Sequence, residues 1–167
     1  MRRKDREIQN IEDKIKIIEK CKFCRVGLSE NNYPYIIPLN YGYSYENNKL
    51  TLYFHSAREG KKIDIIKNNR HACFEIDCDT KLIEAEKACG YGYEFKSIIG
   101  FGEIIFLETD KEKNDGLNIL MKHQTGKNIQ YTFGEDELKK VLVFKMEINE
   151  FTGKEKILMQ NKESGSQ

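Results

Sequence analysis

Residues 34–56 read PYIIPLNYGYSYENNKLTLYFHS, and this stretch decides the fold. Residues 34–45 and 50–56 are rich in aromatic and aliphatic side chains, a composition that favours β-strands. Only the polar tetrapeptide ENNK separates them, and a connection this short joins antiparallel neighbours. Pro38 has no N–H to donate to a neighbouring strand, so the first strand is predicted to lie at a sheet edge or to contain a bulge. The stretch therefore predicts an antiparallel sheet built around a hairpin.

The rest of the chain continues this pattern of strands with a few helices. The predicted further strands are 23–28, 71–79, 96–108 and about 141–150, with a short one at 82–89 and an aromatic loop, GYGYEF, after it. Apolar residues at helical spacing predict helices at 11–20, 57–68 and 110–126. The pattern indicates a mainly β (α+β) fold, a mostly antiparallel barrel of about six strands with helices outside it. We predict one domain over residues 1–160 and a disordered tail over 161–167.

The charge balance and the apolar runs restrict the classes of partner. The chain has 28 Lys and Arg against 27 Asp and Glu, a net charge of +1, so no overall field attracts nucleic acid or an anionic membrane. No apolar run approaches the ~20 residues that span a bilayer. The basic N-terminus, MRRKDREIQN, leads into no apolar segment typical of a signal peptide. We therefore predict a cytoplasmic protein with five reduced cysteines.

A strand meets a helix within YFHSAREGKK, residues 53–62, and this junction has two interpretations. Ser56 followed three residues later by Glu59 fits a capping box, which is a purely structural feature of a helix start. The same geometry presents free backbone N–H groups and the positive end of the helix dipole. With the Ser56 hydroxyl, His55 and Lys61 or Lys62 nearby, it would suit a phosphomonoester. The spacing alone leaves both interpretations open.

The cysteines and the other histidines give weaker signals. CKFC at 21–24 has the CxxC spacing of zinc and redox sites, but no second ligand pair follows it, so we interpret these cysteines as core residues. His71 opens a strand, and His123 lies in the last turn of a helix, where a cation complements the helix dipole. No Ser/His/Asp or Cys/His triad can be assembled, and no G-x-S-x-G is present.

Several segments in order resemble a known family. They are MRRKDREI, PYIIPLNYGY, YFHSAREGKKIDIIKNN, CFEID, EKAC, SIIGFGEI and LNILMKH, spread over residues 1–123. On these segments the chain resembles the flavin-binding split-barrel superfamily related to pyridoxamine 5′-phosphate oxidase. It is most similar to the nitroimidazole-resistance (Nim-type) branch. The resemblance implies a six-stranded antiparallel split β-barrel with flanking helices.

The resemblance also implies a cofactor and a binding site. Members of the superfamily form homodimers with two FMN molecules in clefts between the subunits. Carried over to this chain, Pro38, Leu39 and Asn40 line the isoalloxazine edge, and Phe54, His55 and Ser56 lie near the phosphate and ribityl chain. Lys61, helped by Lys62, binds the phosphate. Ser97 reaches the flavin from the partner subunit.

Departures from the oxidases make vitamin B6 oxidation unexpected. Asn40 replaces a lysine of the oxidases, no arginine follows Arg70, and the chain has no tryptophan. The predicted function is therefore an FMN-dependent oxidoreductase that reduces a small planar acceptor such as a nitroimidazole, with a nicotinamide nucleotide as electron donor. His71 and His55 are weak candidates for a proton donor. A non-catalytic flavin- or haem-binding carrier or sensor is the alternative, and a deazaflavin could replace FMN.

Overall fold

The structure, a computed structural model, describes residues 2–157. The strands of this part are β1 (Glu7–Ile8), β2 (Phe23–Glu30), β3 (Tyr33–Asn40), β4 (Gly42–Glu46), β5 (Lys49–Ser56), β6 (His71–Ile83), β7 (Gly92–Phe106) and β8 (Leu142–Lys156). The α-helices are α1 (Ile11–Lys20), α2 (Lys61–Asn68), α3 (Asp110–Thr125) and α4 (Glu135–Leu138). The tail predicted over 161–167 lies outside the described residues.

One antiparallel sheet contains all of these strands. Its order is β3-β2-β6-β7-β8-β5-β4, and β1 pairs with β8. The predicted mainly β antiparallel barrel with flanking helices is confirmed, although the sheet has eight strands where six were predicted. Two strands are added because β1 is a separate two-residue strand and because residues 34–45 form two strands.

The break between β3 and β4 determines how the sheet curves. These strands are the two edges of the sheet, yet Tyr41 alone connects them in the chain. Consecutive Cα atoms lie about 3.8 Å apart, so the two edges must come together at this point. The sheet therefore curls into a barrel that is split along the line between β3 and β4. Pro38 lies on the edge strand β3, as predicted.

Hydrogen bonds to Tyr41 close the split at this end, and we call this contact the Tyr41 seam. The fully buried Tyr41 hydroxyl donates to the carbonyl oxygen of Ile18 in α1, at 2.6 Å. The Tyr41 carbonyl oxygen lies 2.6 Å from Nδ1 of His123 and accepts from Gln124 Nε2 at 2.8 Å, both in α3. His123 Nε2 lies 2.9 Å from the carbonyl oxygen of Glu19.

His123 therefore does more than complement a helix dipole. It is 7% exposed, and both of its ring nitrogens face backbone carbonyl oxygens. The ring thereby connects α3 to the end of α1 and to the link between the two edge strands.

Two cores lie on opposite sides of β5. The larger core fills the barrel, where Phe54 stacks on Phe144 with ring centroids 5.3 Å apart. The smaller core contains Leu107, Leu117, Leu138 and Val143 between the sheet and helices α3 and α4, with Tyr53 packed against it. Because side chains of a strand alternate between its faces, Phe54 and Tyr53 belong to different cores.

Both tight hairpins turn on pairs of asparagines. Asn31 and Asn32 connect β2 to β3, and Asn47 and Asn48 connect β4 to β5, all four with positive φ between 50° and 66°. Two-residue turns with left-handed residues match the twist of the flanking strands, and asparagine tolerates this conformation better than most residues. The predicted turn at ENNK is confirmed.

Three predictions about local structure are wrong. Ser56 and Glu59 form no capping box: Ser56 is the last residue of β5, its hydroxyl donates to the Ala57 carbonyl at 2.7 Å, and α2 begins only at Lys61 after Gly60. Residues 82–89 are not a separate strand, because β6 continues to Ile83 and a loop follows it. Most of the predicted aromatic loop is the start of β7. A capping box does form at the start of α3, between Thr109 and Glu112.

Among the described residues, no helix has the length and apolar character needed to cross a membrane.

Gly42 is predicted to be essential for the close packing of α3 against the split. A Cβ at this position would lie 2.5 Å from both Cα and N of Leu120, which are backbone atoms that cannot rotate away. We expect Gly42→Ala to lower the free energy of unfolding by about 1–3 kcal/mol, measured by denaturant titration. Gly134→Ala is the control, because its Cβ would meet nothing closer than 3.7 Å. Equal stability of the two variants would contradict this packing argument.

Candidate functional site

The turn between β5 and α2 has the chemistry of an anion site. α2 begins after Gly60, whose φ of 126° and ψ of 163° suit glycine and few other residues, and no side chain caps the helix. The Gly60 carbonyl accepts from the amides of Ile63 and Asp64, at 2.8 and 3.2 Å. The amides of Lys61 and Lys62 have no hydrogen-bond partner within residues 2–157. These two N–H groups and the positive end of the helix dipole favour a bound anion.

Three cationic side chains surround this turn. Lys61 Nζ lies 3.9 Å from the Glu30 carboxylate and 5.2 Å from the centre of the Tyr35 ring, so the ammonium faces the β2–β3 hairpin. Lys62 is half-buried and forms no ion pair with another described residue. Arg58 donates to the carbonyl oxygen of Lys139 at 3.1 Å. Sequence reasoning missed Arg58, although it lies within the motif SAREGKK, because its position in the turn became visible only in the structure.

His55 and Ser56, predicted to act together, lie on opposite faces of β5. Ser56 is 9% exposed on the barrel side, whereas His55 alternates to the side of Tyr53 and the smaller core. His55 Nδ1 is buried and has no hydrogen-bond partner within the described chain. An unpaired buried polar atom is rare in a folded protein, and it marks a position where an additional donor or acceptor is expected. Phe54 is fully buried, so its side chain can support a ligand only by packing under the residues that contact that ligand.

The residues predicted along the flavin ring lie on the free edge of the split. Pro38 is exposed, and Leu39 and Asn40 are half-buried near the end of β3. Lys61 meets the same strand at Tyr35. With a rise of about 3.3 Å per residue, Pro38 and Asn40 lie about 10 and 17 Å further along β3. The structure therefore brings the predicted phosphate residues and ring residues to the two ends of one edge strand.

Ser97 and His71 lie elsewhere in the chain. Ser97 is in the middle of the sheet, opposite Asp77 of β6 and Lys154 of β8. His71 opens β6 and places its Nδ1 3.7 Å from the Glu103 carboxylate. Gly27 of β2 pairs with Cys73, so His71 lies at the end of β6 beside the β2–β3 hairpin, which Lys61 contacts. Asp77 is six positions further along β6, about 20 Å away. Ser97 therefore cannot join the turn at Lys61 within the same subunit, and its predicted role depends on a partner subunit.

The sheet face that carries Ser97 exposes several large apolar side chains, and we call it the outer sheet face. On it Ile36 is 67%, Phe101 is 52% and Ile99 is 46% exposed. The strand register places Ile36, Gly27, Cys73 and Phe101 in one row across β3, β2, β6 and β7. A cleft of ≈ 470 Å³ on this face includes Ile36, His71 and Phe101.

Another cleft, of ≈ 560 Å³, lies between α1, β4 and α3, next to the Tyr41 seam. Tyr43 and His123 line its floor, and charged side chains of both signs, among them Glu19 and Lys122, surround it. None of the residues predicted to bind the cofactor lines it. The concentration of free amides and cations at the α2 turn is therefore the better indication of a phosphate site.

The two cysteines of CKFC have the properties of core residues. Burial raises the pKa of both Cys21 and Cys24 to about 12, so both thiols stay protonated near neutral pH. Cys24 belongs to the barrel core. Residues 2–157 contain no group of three or more His, Cys, Asp or Glu side chains arranged to hold a metal ion. A protonated thiol is neither a metal ligand nor a nucleophile, which agrees with the structural interpretation of CKFC.

An antiparallel sheet that curls into a barrel and stays open between its two edge strands defines a class of protein, the split-barrel proteins. The chain belongs to the pyridoxamine 5′-phosphate oxidase family, which matches it over residues 12–155. Within this superfamily it belongs to the nitroimidazole-resistance (Nim-type) branch, and the predicted resemblance is confirmed. No curated protein matches the chain significantly.

Three solved structures illustrate the likeness. A candidate 5-nitroimidazole antibiotic resistance protein from Bacteroides thetaiotaomicron is 31% identical, with a TM-score of 0.75 over 89% of this chain and 85% of that one. The flavocytochrome Anf3 from Azotobacter vinelandii is 16% identical, with a TM-score of 0.77 over 94% and 72%. An FAD- and haem-binding protein from Mycobacterium smegmatis is 15% identical, with a TM-score of 0.75 over 90% and 73%. At such low identity, the last two show the shared fold.

Proposed function

We propose that this protein is an FMN-dependent oxidoreductase that reduces a small planar acceptor such as a nitroimidazole. The observation that carries the proposal is the uncapped first turn of α2, where two free amides and Lys61 lie beside the edge strand β3. In a chain of the pyridoxamine 5′-phosphate oxidase family, this is the place that the resemblance assigns to the cofactor phosphate.

The residues present fit FMN. Free N–H groups and ammonium groups are the donors that a phosphate dianion requires. The edge of β3 runs from Tyr35, where Lys61 lies, to Asn40, a length of about 17 Å that can accommodate a ribityl chain and a flavin ring. The unpaired Nδ1 of His55, next to Ser56 at the end of β5, offers a further polar contact near the phosphate end.

The protein residues bind and orient the cofactor in this proposal. Bound FMN would supply the electron-transfer chemistry, with a nicotinamide nucleotide as the electron donor. Lys61 and Lys62 hold the phosphate, and Pro38, Leu39 and Asn40 support the ring. His71, exposed beside Glu103, is the weak candidate for a proton donor. Oxidation of pyridoxine phosphate is not proposed, because no arginine follows Arg70 to bind the substrate phosphate.

A second candidate function is a non-catalytic flavin- or haem-binding carrier or sensor. It is supported by the flavocytochrome and the FAD- and haem-binding protein, which share the fold at TM-scores of 0.77 and 0.75. In this chain, the same lysines beside His55 could hold the propionates of a haem.

We propose the cytoplasm as the location and a small molecule as the ligand, with no nucleic acid or membrane partner.

The identity of the bound chromophore tests these functions. We expect the purified protein to carry a yellow chromophore with a flavin spectrum, identified as FMN by the mass of the released molecule. With reduced nicotinamide nucleotide and no oxygen, we expect repeated turnover of a nitroimidazole. The decrease in the absorption of its nitro group measures this turnover. A Soret band without flavin would favour the haem carrier. Bound flavin without turnover would favour the non-catalytic flavin protein.

Lys61→Ala is expected to weaken the binding of FMN and leave that of riboflavin unchanged, because riboflavin lacks the phosphate. Loss of one charge-assisted hydrogen bond should raise the FMN dissociation constant about tenfold to a hundredfold. Quenching of flavin fluorescence measures both constants. Lys67→Ala removes the same charge from the exposed far end of α2 and should change neither. Unchanged FMN affinity in Lys61→Ala would contradict the phosphate assignment.

We also propose that the outer sheet face forms a homodimer. Ile36 on β3 and Ile99 and Phe101 on β7 are large exposed apolar side chains, and Gly27 and Cys73 connect Ile36 to Phe101 across β2 and β6. An exposed apolar patch of this kind usually marks an interface. The Arg25 guanidinium on the same face is already paired with Glu75, at 3.0 Å, and with Asp77. Across a two-fold axis, the same patch on a second copy of the chain would cover this one. This contact would also bring Ser97 toward the cofactor of the partner subunit.

Phe101→Glu should convert the dimer to a monomer, because the interface would then bury an unpaired carboxylate. Light scattering after size-exclusion chromatography gives the mass of each species. Ile129→Glu is the control, since Ile129 is 48% exposed in the segment after α3, away from the outer sheet face. A Phe101→Glu protein that keeps the dimer mass would exclude this face as the interface.

A further inference from the structure

Lys61 is held by contacts that leave its hydrogen-bond donors free. Its ammonium lies over the Tyr35 ring, 5.2 Å from the centroid, within the range of a cation–π interaction. Its other neighbour, the Glu30 carboxylate, is 3.9 Å away, too far for a hydrogen bond. No other described residue accepts a hydrogen bond from Lys61 Nζ. The side chain is thus placed while all three of its N–H groups remain available to a ligand.

The two lysines of the turn differ in this respect. Lys62 has neither an ion pair nor an aromatic partner among residues 2–157. A free lysine side chain loses rotamer entropy when it is fixed by a ligand. Contacts that already restrict Lys61 before the ligand arrives reduce this loss, which favours Lys61 over Lys62 as the phosphate ligand.

We propose that Tyr35 is a positioning residue, which places the Lys61 ammonium at the phosphate end of the cofactor site. This inference rests on the proposed FMN function and deepens it. Tyr35 is half-buried on the edge strand β3, where its ring also packs against the barrel core. The ring therefore has a fixed location, and the lysine that stacks on it is fixed relative to the same strand that supports the flavin ring. The phosphate and the ring of one ligand are thus aligned on one rigid element.

A double-mutant cycle tests this inference. The four proteins are the wild type, Tyr35→Leu, Lys61→Ala and the variant with both substitutions, each with its dissociation constants for FMN and riboflavin. Tyr35→Leu should weaken FMN binding about two- to fivefold, the size expected for a partly exposed cation–π contact, and leave riboflavin unchanged. In the Lys61→Ala background, Tyr35→Leu should have no further effect on FMN.

Two variants control for a loss of packing. Tyr35→Phe keeps the ring face and should restore the wild-type ratio of the FMN and riboflavin constants. Tyr33→Leu removes an exposed tyrosine from the same strand, one that has no cationic partner in the described chain, and should change neither constant. Thermal unfolding confirms that each variant is folded, and Tyr35→Ile replaces Tyr35→Leu if that variant is not.

The failure of this inference is distinguishable from that of the proposed function. An equal loss of FMN and riboflavin affinity in Tyr35→Leu, or additive effects of the Tyr35 and Lys61 substitutions, would overturn the positioning role alone. If Lys61→Ala leaves FMN affinity unchanged, the phosphate assignment fails and the role of Tyr35 fails with it.

Discussion

The single residue between β3 and β4 is the constraint on which the rest of the structure depends. Tyr41 must join two strands that are the opposite edges of one sheet, so the sheet has to curl until those edges meet. Gly42 allows this close packing, because it has no Cβ to collide with the backbone of α3. It also satisfies the polar atoms of the link with hydrogen bonds from α1 and α3, including those of His123. Buried polar groups at a chain crossing are tolerated only when such partners are present.

The same split creates the candidate site. A closed barrel would pair the outer edge of β3 with another strand, whereas here that edge has no strand partner among the described residues. The turn before α2 presents the Lys61 ammonium toward the β2–β3 hairpin, as its contacts with Glu30 and Tyr35 show. The separation of β3 from β4 therefore explains both the open barrel and the position of the candidate site.

Much of the fold could be predicted from the sequence, because alternating apolar residues and asparagine turns act locally. The prediction failed where the structure depends on distant contacts. Nothing in residues 34–45 indicates that the strand breaks at Tyr41, because the break is stabilised by Ile18 and His123. The extension of β6 to Ile83 likewise depends on pairing with Gly92 of β7.

The candidate site was predictable to a similar degree. The motif SAREGKK correctly indicates that a strand gives way to a helix, but its S-x-x-E spacing suggests a capping box that does not form. The helix starts one turn later, at Lys61. The alternation that separates His55 from Ser56 follows directly from the strand period. The contact between Lys61 and Tyr35 could not be predicted, because it depends on the angle at which α2 packs against the hairpin.

The prolines of β3 have a consequence for the behaviour of the protein at high concentration. An open strand edge can template the addition of strands from other molecules and lead to fibrils. On β3, Pro34 and Pro38 have no N–H group, so the backbone lacks two of the donors that a continuous ladder would need. A flat ligand does not need such a ladder, and the edge can therefore stay open for binding while it resists amyloid-like growth.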